Sequence, residues 1–262
     1  MADRIGVFDS GMGGFSILRK IMTGIPGITV DYISDDAFAP YGVRTDEEIT
    51  SRSEHITEML LERGANLIVV ACNSATAAAI RHLRETHSHI QFVGVEPYIN
   101  VLNHLPDIDR AAVITTVLTG KSKKFNSLRN RLDPEHRILH FLMADLATIT
   151  EEIIEQGYTC ELQQKLSREI APLKEKSISH LILGCTHYPL IADILEKELD
   201  VTTIGAAPFV ARRVKELLNN PGGPMPSYFS FLSTTRMSWE TRTVKQLEYL
   251  LRFSGGRKTP WR

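Results

Sequence analysis

Short runs rich in β-branched residues alternate with longer amphipathic segments along most of this chain. The strand candidates are residues 5–8, 29–33, 67–71, 91–95, 111–115, 137–142, 180–184 and 201–204. Between them, residues 45–63 and 161–176 carry helical periodicity. Apolar strands alternating with helices predict parallel sheets covered on both faces. Ligands of such sheets sit beyond the carboxyl ends of the strands. The residues just after each strand are therefore where chemistry is sought.

Two such places carry a cysteine. One is Ala71-Cys72-Asn73-Ser74, and the other is Gly184-Cys185-Thr186-His187-Tyr188-Pro189. Each comes after an apolar run and precedes hydrogen-bonding residues. The two are about one small α/β domain apart, so the sequence predicts two similar, pseudo-symmetric domains of Rossmann-like or flavodoxin-like kind, with the site in the cleft between them. The expected division is residues 1–96 plus a returning segment 209–262 for the first domain, and residues 97–208 for the second. The crossover falls near Glu96-Pro97. Residues 221–226 read as a loop, residues 229–233 as an edge strand, and residues 239–253 as a covering helix.

Cysteine is scarce, at three in 262 residues. An odd number without a C-x-x-C pair supports neither a disulfide framework nor a structural zinc site. Two thiols facing one cleft fit a different chemistry: one takes a proton from a carbon and the other returns one on the opposite face. Ser74 reads as the N-cap of the next helix, which places Cys72 at the positive end of a helix dipole. His187 is a proton carrier beside Cys185. The plainer alternative is two inert buried thiols, since cysteine packs as a small apolar residue. Cys160 has no comparable setting and is assigned to structure.

The segment Phe8-Asp9-Ser10-Gly11-Met12-Gly13-Gly14-Phe15-Ser16 comes after the first strand. It completes neither G-x-G-x-x-G nor a Walker loop. Its glycines serve either an approaching anion or a tight βα turn capped by Asp9. Tyr41, between Pro40 and Gly42, offers a hydroxyl to a ligand or covers the core edge. Thr115, Thr116, Thr119 and Ser122 suit a carboxylate or helix capping. His82, His87 and His89 lie in a polar stretch and read as solvated rather than metal-binding.

Lysine plus arginine total 30 against 31 aspartate plus glutamate. This balance offers no general attraction for nucleic acid or an acidic membrane surface. Hydrophobic residues make up 43 % of the chain, as in soluble globular proteins. No apolar stretch reaches the roughly 18 residues of a membrane helix, and the first residues lack the features of a secretion signal. A cytoplasmic protein with free thiols is the expectation.

Taken together, Gly6-Val7-Phe8-Asp9-Ser10-Gly11 with Gly13-Gly14, Pro40-Tyr41-Gly42, Ala71-Cys72-Asn73-Ser74 and Gly184-Cys185-Thr186-His187-Tyr188-Pro189 resemble the glutamate racemases of the cofactor-independent aspartate/glutamate racemase superfamily. The four motifs occur in the family's order. The resemblance implies two α/β domains with glutamate between them, no cofactor, no metal, a possible homodimer, and a role in supplying D-glutamate for peptidoglycan. It implies that Cys72 takes the α-proton of D-glutamate and Cys185 that of L-glutamate, assisted by Asp9 and His187. Ser10, Pro40, Tyr41, Gly42, Asn73, Ser74, Thr119 and Thr186 would bind substrate. A further acid between the domains matches Glu155, with Asp145 and Glu152 as rivals. The second loop departs from the family pattern: Asp36 adds a carboxylate, and Phe38 stands where the family has arginine. Another acidic amino acid such as aspartate is therefore an alternative substrate, and a non-catalytic amino-acid binding protein is an alternative of another class.

Overall fold

The computed structural model describes residues 3–101, 108, 110–218, 223, 224, 226 and 228–251. Its strands are β1 (Arg4–Asp9), β2 (Thr29–Ser34), β3 (Leu67–Val70), β4 (Gln91–Gly94), β5 (Ala111–Thr116), β6 (Leu139–Met143), β7 (His180–Gly184), β8 (Thr202–Ile204), β9 (Tyr228–Ser233) and β10 (Ser238–Thr243). They form two sheets. One has the order β10-β9-β2-β1-β3-β4, the other β6-β5-β7-β8. Every pairing is parallel except that of β9 with β10.

Both sheets are packed on both faces, which is why their strands read as continuous apolar runs. Ile5 and Val7 of β1 face a core with Ile17, Leu18 and Ile21 of the helix Phe15–Gly24. Phe8 faces the opposite core, with Ile56 and Leu60 of the helix Asp46–Glu62. That helix starts where the sequence places it because Thr45 and Glu48 form a capping box. The second sheet has its own two cores, one around Ile114 and Leu183, the other around Val113 and Ile182.

The chain returns to the first sheet at its C-terminal end. Val210 and Val214 of the helix Ala207–Leu217 join the core of Ile5 and Val7, and β9 pairs with β2. The two passages between the sheets lie side by side, with Tyr98 stacked on Phe209 at 3.8 Å between ring centroids. Among the described residues no helix is long and apolar enough to cross a membrane.

Four expectations are corrected. The segment 137–142 forms a strand only from Leu139, because the Asp133 carboxylate takes the amides of Arg137 and Ile138 at 2.8 and 3.0 Å. The helical pattern over 161–176 is two helices, Cys160–Glu169 and Ala171–Lys174, divided where Pro172 brings no amide donor. The segment 229–233 lies inside the sheet, between β2 and β10, and is not its edge. The covering helix expected over 239–253 begins only at Val244. The residues before it, Ser238–Thr243, pair with β9, and Thr243 Oγ1 accepts the Gln246 amide at 3.1 Å to cap the helix. Residues 252 and 253 lie outside the described residues, as do 221, 222 and 225 of the expected loop.

Candidate active site

Cys72 stands two positions beyond the last residue of β3 and is itself the N-cap of the helix Asn73–Thr86. Its Sγ accepts the Ala75 amide at 3.5 Å, the contact expected of Ser74. Ser74 is instead the second residue inside the helix. Its Oγ lies 3.1 Å from Thr116 Oγ1 and 3.4 Å from Thr119 Oγ1, linking β3's helix to the end of β5. Cys72 Sγ also lies 3.7 Å from Ser10 Oγ. Burial, reinforced by the nearby Asp9 charge, pushes the Cys72 thiol well up and keeps it protonated; the Ala75 amide opposes this.

Cys185 comes directly after β7. His187 Nδ1 stands 3.7 Å from its Sγ, and His187 Nε2 lies 2.8 Å from Glu151 Oε1. Burial alone would lower the imidazolium's pKa. The hydrogen bonds and charges of Cys185 and Glu151 outweigh it and hold His187 well above the ordinary histidine range. The neighbouring Thr186 Oγ1 donates to Asp9 Oδ2 at 2.9 Å, so the ends of β7 and β1 are joined across the seam between the sheets. Burial also raises the Asp9 carboxyl, against the opposing pull of His187, Thr186 and Ser10.

The glycines after β1 make this junction possible. A Cβ on Gly13 would lie 2.6 Å from His187 Nδ1 and 2.8 Å from the His187 backbone nitrogen. On Gly14 it would lie 2.6 Å from the Tyr32 hydroxyl. The use the structure shows is a third one, beside the two the sequence left open: the glycines admit the close approach of a neighbouring loop, and the helix N-cap is Gly14, without a side-chain cap from Asp9.

Cys72 and Cys185 line one cavity of about 150 Å³. A space of that order holds a small molecule of benzene's size and excludes a dinucleotide. Ser10, Pro40, Tyr41, Gly42, Asn73, Ser74 and Thr186, which the resemblance implies as substrate contacts, also line it. Thr119 stands behind the wall, bonded to Thr116 at 3.0 Å; Thr116 itself faces the cavity. Asp9 is fully buried behind Ser10 and Thr186.

The acid beside His187 is Glu151, one helical turn before the expected Glu155. Both lie on the helix Leu146–Gln156. Glu155 lines an adjoining cavity with Asp36 and Arg236, and Glu152 pairs with Lys165 at 3.0 Å. Asp145 reaches the thiol cavity. The carboxylate added by Asp36 is absorbed by the β9–β10 hairpin: it accepts Ser233 Oγ at 2.6 Å and the Thr235 amide at 3.2 Å. Phe38 packs edge-on to Tyr41 with the Arg44 guanidinium over its ring.

Other polar groups stand apart. His87 and His82 both meet Glu54, at 2.7 and 3.0 Å. No group of three or more potential metal ligands forms among the described residues. Cys160, assigned to structure, is exposed at the start of its helix and contributes nothing to a core.

Comparison with known proteins places the chain among racemases. The chain is 38 % identical to glutamate racemase of Pseudomonas aeruginosa strain UCBPP-PA14 over 221 residues, covering 82 % of this chain and 81 % of that protein. It is 40 % identical to glutamate racemase of Herpetosiphon aurantiacus, over 82 % and 84 % of the two chains. Its fold superimposes on a glutamate racemase isoform from Bacillus anthracis with a TM-score of 0.77 at 31 % identity, covering 88 % of each chain. The glutamate racemase of Escherichia coli, solved with L-glutamate and an activator, gives the same TM-score at 26 % identity and 89 % coverage of each. The family model described as Asp/Glu/Hydantoin racemase matches residues 9–214, a span that holds both cysteines and the loops around them. On that match, the chain belongs to the Asp/Glu/hydantoin racemase family and is a racemase, an isomerase by reaction class.

Proposed function

We propose that this chain interconverts L- and D-glutamate by proton transfer between Cys72 and Cys185, without a cofactor. The observation that carries the reading is that two buried thiols, each at the end of a strand in a different sheet, line one cavity. Solved structures of like fold are, by name, glutamate racemases.

One starting state fits these surroundings. The His187 imidazolium faces Cys185 Sγ and would stabilise a negative charge formed there. Cys72 is held as a thiol. In that state the Cys185 thiolate takes the Cα proton of L-glutamate, and Cys72 gives its proton to the opposite face. The C–H bond broken at Cys185 is replaced by the one formed from Cys72. D-glutamate leaves, and the pair is left with the proton on Cys185. Turnover of D-glutamate runs the same exchange backwards. The amides at the start of the helix Asn73–Thr86 suit the α-carboxylate, whose charge grows in the carbanion-like transition state. The D-glutamate formed would serve peptidoglycan synthesis.

The test is incubation with each glutamate enantiomer in deuterated water, with chiral separation and mass spectrometry of the products. The wild type should invert both enantiomers and place deuterium at Cα. Cys72→Ser and Cys185→Ser should each abolish inversion. Two-way inversion by either variant removes the paired-thiol mechanism. Faster inversion of aspartate moves the substrate to the shorter acid, and no exchange with either leaves a binding protein. With Asp36 occupied by the hairpin, we expect glutamate to be preferred.

A further inference from the structure

Arg52 lies outside the cavity, yet the structure ties it to the cavity wall through two hydrogen-bonded steps. Its Nε donates to Asp35 Oδ2 at 2.8 Å and its Nη2 to Asp35 Oδ1 at 2.6 Å. This is the two-pronged guanidinium–carboxylate geometry that lysine cannot reproduce. Asp35 has no exposed surface, and its Oδ2 also accepts the Tyr41 hydroxyl at 2.6 Å. Tyr41 is buried and opens the short turn Tyr41–Val43. All five residues from Ala39 to Val43 line the cavity.

The chain of contacts has a second anchor. The Asp35 amide donates to the Asp9 carbonyl at 2.9 Å, and the Phe38 amide to the Asp35 carbonyl at 3.1 Å. Asp35 is thus fixed to the end of β1 by its backbone and to the helix Asp46–Glu62 by its side chain. A buried carboxylate without a cation would be costly, and it would then compete for other donors. With both oxygens occupied by Arg52, a single direction remains for the Tyr41 hydroxyl.

We propose that Arg52 is a positioning residue for the reaction: through Asp35 it orients Tyr41 and so holds the wall formed by residues 39–43 against the substrate and against Cys72. The role in turnover rests on the assignment of glutamate as substrate. The wall itself can be tested without a substrate. Cys72 is 5 % exposed, whereas Cys160 is exposed and far from the relay in sequence, so Cys160 is an internal reference for alkylation.

The experiment compares the wild type, Arg52→Lys, Tyr41→Phe and the double variant in two measurements, after thermal melts show each to be folded. The first is the rate of iodoacetamide labelling of Cys72 relative to Cys160, by mass spectrometry. We expect each single variant to raise the ratio about tenfold and the double variant to add little more, since both remove one link. The second is steady-state racemisation of glutamate. We expect KM to rise about tenfold in each single variant with kcat within about twofold, as for loss of contacts made equally in the ground and transition states. An unchanged Cys72 labelling ratio in Tyr41→Phe overturns the proposal, even should Arg52→Lys not fold. Multiplying effects in the double variant also overturn it, because they make Arg52 a general support of the fold. A wild type that racemises nothing while the labelling ratios behave as stated sinks the glutamate reading alone.

Discussion

Glu151 Oε1 and His187 Nε2 are 2.8 Å apart, on the side of the imidazole ring away from Cys185. The pair brings a carboxylate from the helix Leu146–Gln156 to the loop after β7. Glu151 thereby keeps the ring oriented and favours its charged form.

Replacing this acid should be felt mainly at Cys185. Glu151→Gln keeps the size of the side chain but removes the charge that raises His187. We expect kcat to fall about ten- to a hundredfold, the lower end of what assisted proton transfer contributes. The alkaline limb of the pH–rate profile should also move to lower pH, because His187 loses its proton more readily. Profiles of kcat against pH for both substrate enantiomers check this. An unmoved limb would detach the limb from His187.

The same histidine predicts how stability varies with pH. Its native pKa lies above that of the unfolded chain, near 6.5. Its contribution is therefore fully present below about pH 6.5 and is lost as the pH rises through the native value. The thiol of Cys72 behaves alike above its own unfolded value, but this cancels when two proteins sharing it are compared. Urea melts from pH 6 to pH 9 should show the gap between wild type and His187→Asn narrowing as pH rises. A gap that widens would mean the ring is buried neutral.

Two glycines should respond oppositely to the same change. A Cβ on Gly184 would lie 2.6 Å from the Ile114 carbonyl oxygen of the paired strand β5, which cannot swing aside. Gly184→Ala should cost about 1–3 kcal/mol, the range for overpacking. Around Gly24, at the end of the helix Phe15–Gly24, nothing lies within 4 Å of the added atom. Gly24→Ala should stabilise by about 0.5–1 kcal/mol through the unfolded chain. Thermal melts of the two variants measure both signs.

Much of this architecture was readable from the chain because its strands are apolar on both faces. β1, β2, β3, β4, β5 and β7 lie within a residue of the expected limits at each end. The short motifs could also be placed, since a strand end fixes the position of the next loop to within a few residues. The acid beside His187 could not be found in the same way: the resemblance offers Glu155, with Asp145 and Glu152 as rivals, and the residue there is Glu151. Glu151 and Glu155 are four residues apart and share one helix face, so only the packing of that helix against the loop after β7 separates them, and this is a tertiary fact. The capping role of Cys72 was hidden for a similar reason: Ser74 has the better intrinsic preference, but the helix starts earlier than that preference requires. β10 was missed because its exposed face has the polar composition of a helix surface, and only its pairing with β9 distinguishes it.

In the proposed mechanism the sulfur of Cys72 is a reacting atom, and in the structure it is also the acceptor that closes the first helical turn at Ala75. An alkylating inhibitor that reaches it would do more than block a proton relay. It would strip that turn of its terminating contact and loosen the amides that the proposal assigns to the substrate's carboxylate. For this position an oxygen isostere is the informative control, since a methyl group would confuse lost chemistry with a frayed helix end.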